Sequence, residues 1–201
     1  MQKIKKCPKC GRPLVEIEFY VGDFNHTHTL PCECQKEAQR ERKRQEDARE
    51  RAQLISDLGA SSHMSSEQRL CRFAKDDKSA PKITKTCTRY VTRWHKIAAE
   101  NIGMLFFGGV GTGKTFMACA IANALIANAI SAKVYSVSEA TSKLREDRDN
   151  LDDILNCSLL VLDDLGSESD TPYGLELLYT IINARPSWRS EERRVGKECR
   201  S

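Results

Sequence analysis

Apolar positions are spread unevenly along the chain. Residues 35–58 are dominated by Arg, Lys, Glu, Gln and Ala, with no Gly or Pro. This stretch reads as a polar helix of roughly 35 Å at 1.5 Å per residue. Its apolar residues collect only at Leu54, Ile55 and Leu58, too few for a coiled-coil seam, so a solvated spacer and a partner-binding helix both stay open. Residues 59–68 read as a loop. Residues 87–101 read as a helix whose apolar face is Tyr90, Val91, Trp94, Ile97 and Ala98. A short apolar run at 104–107 reads as a buried strand. A helix over 116–130 follows, with Met117, Ile121, Ala124 and Leu125 at three- and four-residue spacing. Residues 133–138 read as a strand, 139–150 as a polar helix, and the continuous apolar run 159–162 as a buried strand. Thr171-Pro172 starts a last helix with Leu175, Leu178 and Ile182 on one face. Strands alternating with helices imply an α/β fold with a parallel sheet covered on both faces.

Composition narrows the class. The chain has 201 residues, 40% hydrophobic and 30% charged, with a formal net charge of +4, which suits a soluble protein of one domain and an appendage. That charge does not by itself imply nucleic acid. No apolar run follows Met1–Cys7, so no secretory signal is visible, and no segment reaches membrane-spanning length. Nine cysteines without such a signal point to thiols and metal rather than disulfides. A cytoplasmic protein with no membrane partner is expected.

The chemistry concentrates at Gly108-Gly109-Val110-Gly111-Thr112-Gly113-Lys114-Thr115, which fits the phosphate-cradling pattern G-x-x-x-x-G-K-[ST]. Such a loop turns backbone N–H groups around an anion. The following helix adds its N-terminal N–H groups. Lys114 supplies a positive charge for the β- and γ-phosphates, and Thr115 a hydroxyl for Mg²⁺. The strand at 159–162 ends in Asp163-Asp164, delivering carboxylates to the sheet edge where ligands of open α/β sheets bind. Asp163 is expected to hold Mg²⁺ through water, and Asp164 to act as general base on an attacking water.

The first 34 residues carry separate chemistry. Cys7-Pro8-Lys9-Cys10-Gly11 is a knuckle-like turn, and Cys32-Glu33-Cys34 offers a second thiol pair. Four thiolates would complete a tetrahedral Zn²⁺ site, with His26 and His28 as substitutes for one ligand. The segment has few apolar residues for a core of its own. A metal contributing on the order of 10 kcal/mol would compensate. Cys71, Cys87, Cys119, Cys157 and Cys199 are scattered and read as ordinary small side chains.

Gly108–Thr115, the alanine-rich helix after it, Val134–Ser138 and Leu159–Gly166 together resemble the DnaC/IstB-type AAA+ ATPases, which include bacterial and phage helicase loaders and ATP-binding helpers of insertion-sequence transposition. The resemblance covers about residues 87–185. It implies a P-loop NTPase of the AAA+/ASCE kind that binds ATP and Mg²⁺ and hydrolyses ATP slowly. It also implies contact with single-stranded DNA, loading of a replicative ring helicase, and self-assembly. Many AAA+ proteins carry Glu at the position of Asp164, so nucleotide binding is more secure here than fast hydrolysis. An amino-terminal zinc module also resembles some loaders, where it grips the helicase. The readings held open are a transposition helper, a non-hydrolysing adaptor, and a zinc-containing nucleic-acid binder.

The expected organisation is a zinc module at 1–34, a polar helix and linker at 35–68, a partial ATPase domain at 69–185, and a basic tail at 186–201. The resemblance implies a further strand, a polar sensor and an arginine finger after Arg185. Residues 186–201 hold no apolar run to form a strand. Foreign sequence joined to a shortened gene is expected there, with a natural basic tail as the alternative. The resemblance places that strand between the P-loop strand and the acidic strand. Each buried unpaired backbone group costs about 1–3 kcal/mol against a net stability of about 5–15 kcal/mol. Poor folding and little activity are therefore expected of this 201-residue chain.

Overall fold

The computed structural model of the chain describes residues 5–147, 150–165 and 172–184. They fall into two units, Met1–Gln53 and Leu54–Ser201. The elements in order are β1 (Glu16–Val21), β2 (Phe24–Thr29), α1 (Glu33–Ala60), α2 (Pro81–Thr92), α3 (Trp94–Glu100), α4 (Lys114–Ala127), β3 (Ala132–Ser136), α5 (Val137–Glu146), α6 (Asn150–Leu155), β4 (Leu159–Asp163) and α7 (Pro172–Ala184). Short 3-10 turns lie at Gln68–Leu70 and Phe73–Lys75.

In the first unit, β1 and β2 form an antiparallel ribbon in which Glu16 pairs with Thr29 and Val21 with Phe24. Gly22, at φ 61°, makes the two-residue turn between them, a geometry that favours glycine. Ile17, Phe19 and Val21 alternate with Glu16, Glu18 and Tyr20, and the Phe19 ring stacks on His26 at 5.6 Å. This hairpin adds to the sequence reading, which assigned no strands to 1–34. The long helix α1 has no buried residue. Its last turns belong to the second unit, where Ile55 and Leu58 pack against Met64, Cys119 and Val134.

The second unit is built around α4. That helix is apolar on every side and buries Met117, Cys119, Ala120, Ile121, Ala122, Leu125 and Ile126, as a central helix must. One flank meets α2 and α3 through Cys87, Tyr90 and Trp94. The other meets the sheet through Ala132 and Val134. Strands β3 and β4 pair in parallel, from Ala132 opposite Leu159 to Ser136 opposite Asp163. Because side chains alternate along a strand, Tyr135, Leu160 and Leu162 point to the opposite face and pack with Ala140, Leu144, Ile154 and Ile181 of α5, α6 and α7. The result is a helix–sheet–helix layering around a parallel sheet, the α/β class expected from the sequence. The outer edge of β3 is covered by the chain leaving α1, where Val134 N–H donates to Ser62 O at 2.9 Å.

Several local readings change: β4, expected to be buried, is half-buried along its length, and the helix expected over 139–150 is α5, which ends at Glu146, with α6 starting at Asn150. Residues 104–107 form no strand, although their pattern is strand-like. Met104 and Phe106 pack beside α4, while Leu105 and Phe107 are 70% and 89% exposed. Among the described residues β4 pairs only with β3, so no strand takes up the N–H and C=O groups of this segment. The helix expected over 87–101 begins earlier, at Pro81, and breaks at Arg93 into α2 and α3. Proline at the first helical position loses no hydrogen bond, which explains the start. Finally, β3 ends at Ser136 and Val137 opens a helix. Ser136 accepts from Glu139 N–H and the Glu139 carboxylate accepts from Ser136 N–H, a reciprocal cap that stops the strand. The tail at 186–201 lies outside the described residues.

Candidate nucleotide site and cysteine cluster

The loop at 108–113 depends on backbone that only glycine adopts freely. Gly111 and Gly113 stand at φ 77° and 78°, in the left-handed region. Gly113 is also the residue before α4, so the bend runs straight into a helix N-terminus whose first N–H groups have no helical acceptor. Thr112 Oγ1 donates to Gly109 O at 2.9 Å and ties the loop across its base. Lys114 Nζ donates to Gly108 O at 3.1 Å and to Gly109 O at 2.7 Å. The ammonium is thereby held within the bend.

Thr115 and Asp163 are 48 residues apart in sequence, yet Thr115 Oγ1 donates to Asp163 Oδ1 at 3.1 Å. Two elements make this contact. Helix α4 carries Thr115 on its first turn, and β4 carries Asp163 as its last residue. Packing of Leu159 and Val161 beside α4 aligns the two ends. A hydroxyl and a carboxylate at this separation, beside a lysine and a helix N-terminus, are groups of the kind that Mg²⁺ and phosphate oxygens take. Asp164 follows at φ 55° and is exposed, a sharp turn that directs the chain away at the strand end. The structure thus brings Lys114, Thr115 and Asp163 together at one edge, with Asp164 adjacent in the chain.

In the first unit, Cys7, Cys10, Cys32 and Cys34 gather so that all four Sγ atoms lie within 4.8 Å of one another. Cys7 is 3.6 Å from Cys34, and Cys32 lies 3.3 Å from both Cys10 and Cys34. Tetrahedral thiolates at a Zn–S distance of about 2.3 Å would be about 3.8 Å apart, so the cluster fits that ion with little adjustment. The knuckle is set by Gly11, whose N–H donates to Cys7 O at 2.9 Å. Backbone N–H groups of Cys10 and Lys9 pull the Cys7 thiol down to about 6. The neighbouring thiols of Cys32 and Cys10 push Cys34 up to about 12. His26 and His28 sit on β2, opposite Phe19 and Ile17, and are not members of the cluster.

A second polar network escaped the sequence reading. Lys133, on β3, is nearly enclosed and donates to Asp153 Oδ1 at 2.8 Å and also to Asp153 O. Tyr135 Oη donates to Asp153 Oδ2 at 3.3 Å, and the His63 ring stacks on Tyr135 at 4.5 Å. Lys133 holds the Asp153 carboxyl below its ordinary range, while burial lowers His63 and raises Tyr135. The signal available was a lysine inside an otherwise apolar strand. Among the described residues no helix is long and apolar enough to cross a membrane.

Residues 79–191 match the family described as IstB-like ATP binding protein, more than half of the chain. Similar curated proteins include the replicative helicase loader DnaC of Escherichia coli (strain K12), 30% identical over 91 residues, or 41% of this chain and 37% of that protein. DnaC of Buchnera aphidicola subsp. Acyrthosiphon pisum (strain APS) is 28% identical over 116 residues, covering 53% and 46%. The replicative helicase loader DnaI of Bacillus subtilis (strain 168) is 33% identical over 92 residues, covering 42% and 30%. The chain therefore spans less than half the length of these relatives. The matched region contains the glycine bend, Lys114, Thr115 and the strand ending in Asp163, and through it the chain belongs to the family of IstB-like ATP-binding proteins.

Proposed function

We propose that this chain is the nucleotide-binding part of a helicase-loader-type ATPase of DNA replication. The observation that carries the reading is the 3.1 Å contact between Thr115 Oγ1 and Asp163 Oδ1. It joins the first turn of the helix after the glycine loop to the acidic end of β4. In this reading the N–H groups of Gly108–Thr115 cradle the phosphates of ATP, and Lys114 swings from its loop carbonyls to the β- and γ-phosphate oxygens. Thr115, and Asp163 through water, would hold Mg²⁺, which would neutralise phosphate charge. Asp164 accepts a proton from a water molecule as the water oxygen bonds to the γ-phosphorus and the bond to the bridging oxygen breaks, leaving ADP and phosphate. Asp is one methylene shorter than Glu, so its carboxylate stands farther from that water and turnover is slow.

The division of labour proposed is a zinc module at 1–34, a helix and linker at 35–68, and the ATPase region at 69–185. Zn²⁺ on Cys7, Cys10, Cys32 and Cys34 would fix the knuckle and the β1–β2 ribbon as a rigid surface for a protein partner. That three of the relatives bear the name replicative helicase loader supports a ring helicase as this partner, with single-stranded DNA as the second. Self-assembly through the ATPase region belongs to the same proposal. The family description, IstB-like, favours a second reading as an ATP-binding helper of transposition.

Titration with a fluorescent ATP analogue and Mg²⁺ tests the core claim. Stoichiometric binding that Lys114→Ala abolishes is expected of chain shown to be folded by a cooperative melt, and no binding to wild-type chain that melts cooperatively would overturn it. A pull-down that retains a replicative helicase rather than a transposase separates the two readings. Loss of phosphate release in Asp164→Asn supports the base assignment, and release no greater than background from wild type and variant alike favours a non-hydrolysing adaptor.

A further inference from the structure

The edge of β3 away from β4 is closed by a short stretch of chain, Ser61–His63. Val134 N–H donates to Ser62 O at 2.9 Å. Both ends of the stretch are fixed. Met64 is buried, and Arg69 donates to Ala60 O at 3.4 Å and to Met64 O at 3.0 Å. Between these anchors His63 takes φ 57°, a left-handed conformation uncommon outside glycine. The turn lays the His63 ring on the Tyr135 ring, with centroids 4.5 Å apart. The imidazole stays 34% exposed, so protons reach it from solvent.

The charges around this stack are unevenly matched. From α6, the Asp153 carboxylate lies 3.8 Å from His63 Nε2. That carboxylate already accepts from Lys133 of β3 at 2.8 Å and from the Tyr135 hydroxyl at 3.3 Å. From α5, Lys143 stands 4.0 Å from the same carboxylate and 5.1 Å from the Tyr135 centroid. Glu139, also on α5, is tied to its own helix cap at Ser136. Tyr135 is kept neutral by burial. A neutral His63 adds only an aromatic face to this group. A protonated His63 adds a third cation beside a carboxylate that two ammonium groups already share. Burial, Lys143 and Lys133 outweigh the pull of Asp153 and Glu139 and hold His63 below its ordinary value.

We propose that the His63–Tyr135 stack is a proton-operated clasp: neutral His63 seats Ser61–His63 on the edge of β3, and protonation lifts that stretch and bares the Val134 N–H. The anchors at Ala60 and Met64 confine the opening to the residues between them. Because His63 titrates lower in the folded chain, the clasp is fully present above the ordinary histidine value near 6.5. It is lost as pH falls from there through the folded value. This window lies above the one in which Asp153 gains its proton. An opened edge offers its N–H to water or to an added strand.

The test is amide hydrogen exchange of the full chain by NMR at about pH 7.5 and about pH 5.5, corrected for the intrinsic pH dependence of exchange. One proton shifts the opening equilibrium by at most about tenfold per pH unit, so Val134 protection should be about three- to tenfold lower in acid. Amides inside α4 should keep their protection across the same step. The His63 ring, followed in the same samples, should titrate below about 6.5. His63→Phe keeps a ring with no proton to gain, and its Val134 protection should be equal at both pH values. His63→Gln lacks the ring and should exchange fast at both. Lys143→Gln removes one opposing cation, so His63 should titrate higher and the acid response should shrink. A wild-type change below about twofold overturns the proposal. So does a loss of protection shared by α4, which is general unfolding, or an acid response that persists in His63→Phe. A His63 midpoint above about 6.5 overturns it too, because Asp153 would then tighten the stack on protonation. Should His63→Phe fold poorly, an acid response that Lys143→Gln leaves unchanged overturns it equally.

Discussion

Asp153 is the strongest test of how the second unit is held together. Replacing it with Ala removes the carboxylate from Lys133, whose side chain is only 10% exposed, and from the Tyr135 hydroxyl. Breaking a fully buried ion pair costs about 3–5 kcal/mol, and breaking an exposed one about 0–1 kcal/mol. This pair is mixed, because the Asp153 side chain is 54% exposed and solvent screens it. Lys133 also keeps the Asp153 carbonyl as an acceptor. The ion-pair loss is then about 2 kcal/mol, and the stranded tyrosine hydroxyl brings the total to about 2–3 kcal/mol. At about 2–4 °C per kcal/mol for a chain of this size, Tm should fall by about 5–10 °C. The assay is a thermal melt followed by circular dichroism, for Asp153→Ala alone and combined with Lys133→Met. Because the damage comes from an unpaired buried ammonium, adding Lys133→Met should recover most of the loss. If the double variant melts as early as Asp153→Ala, the ion pair is not the cause.

The pH dependence has a definite sign. Lys133 lowers the Asp153 value in the folded state, so the pair's contribution is fully present above the ordinary carboxylate value near 4. It is lost as pH falls through the lower folded value, and wild type should lose more stability on acidification than the double variant. Purified chain should carry one Zn²⁺, released to a colorimetric chelator, and Cys32→Ser should bring metal content close to zero; metal-free wild type would refute the cluster's assignment. Asn123 Nδ2 donates to Gln68 O at 2.8 Å and Cys71 O at 2.9 Å, pinning the turns after α1 onto α4. Asn123→Ala should cost about 2 kcal/mol in urea denaturation, and a loss below about 0.5 kcal/mol would count against that role.

The amino-acid sequence by itself determined the local chemistry. The 108–115 pattern carries its own conformational requirements, because glycines at 111 and 113 admit a bend that other residues resist. The apolar run ending in Asp163, the periodicity of 116–130 and the polarity of α1 were likewise legible, since each depends on near neighbours alone. Pairs within a few residues, such as Ser136 with Glu139, were equally present in the sequence. They went unread because the β-favouring residues before them suggested that the strand continued. Tertiary structure decided what distant residues do together. Only packing of α4 beside β4 brings Thr115 to Asp163, and only the knuckle and the ribbon bring Cys7 and Cys10 to Cys32 and Cys34. The same holds for residues 104–107, whose alternation is strand-like but whose pairing depends on another segment's backbone. A strand's existence is a property of two stretches of chain, and no single stretch contains that information.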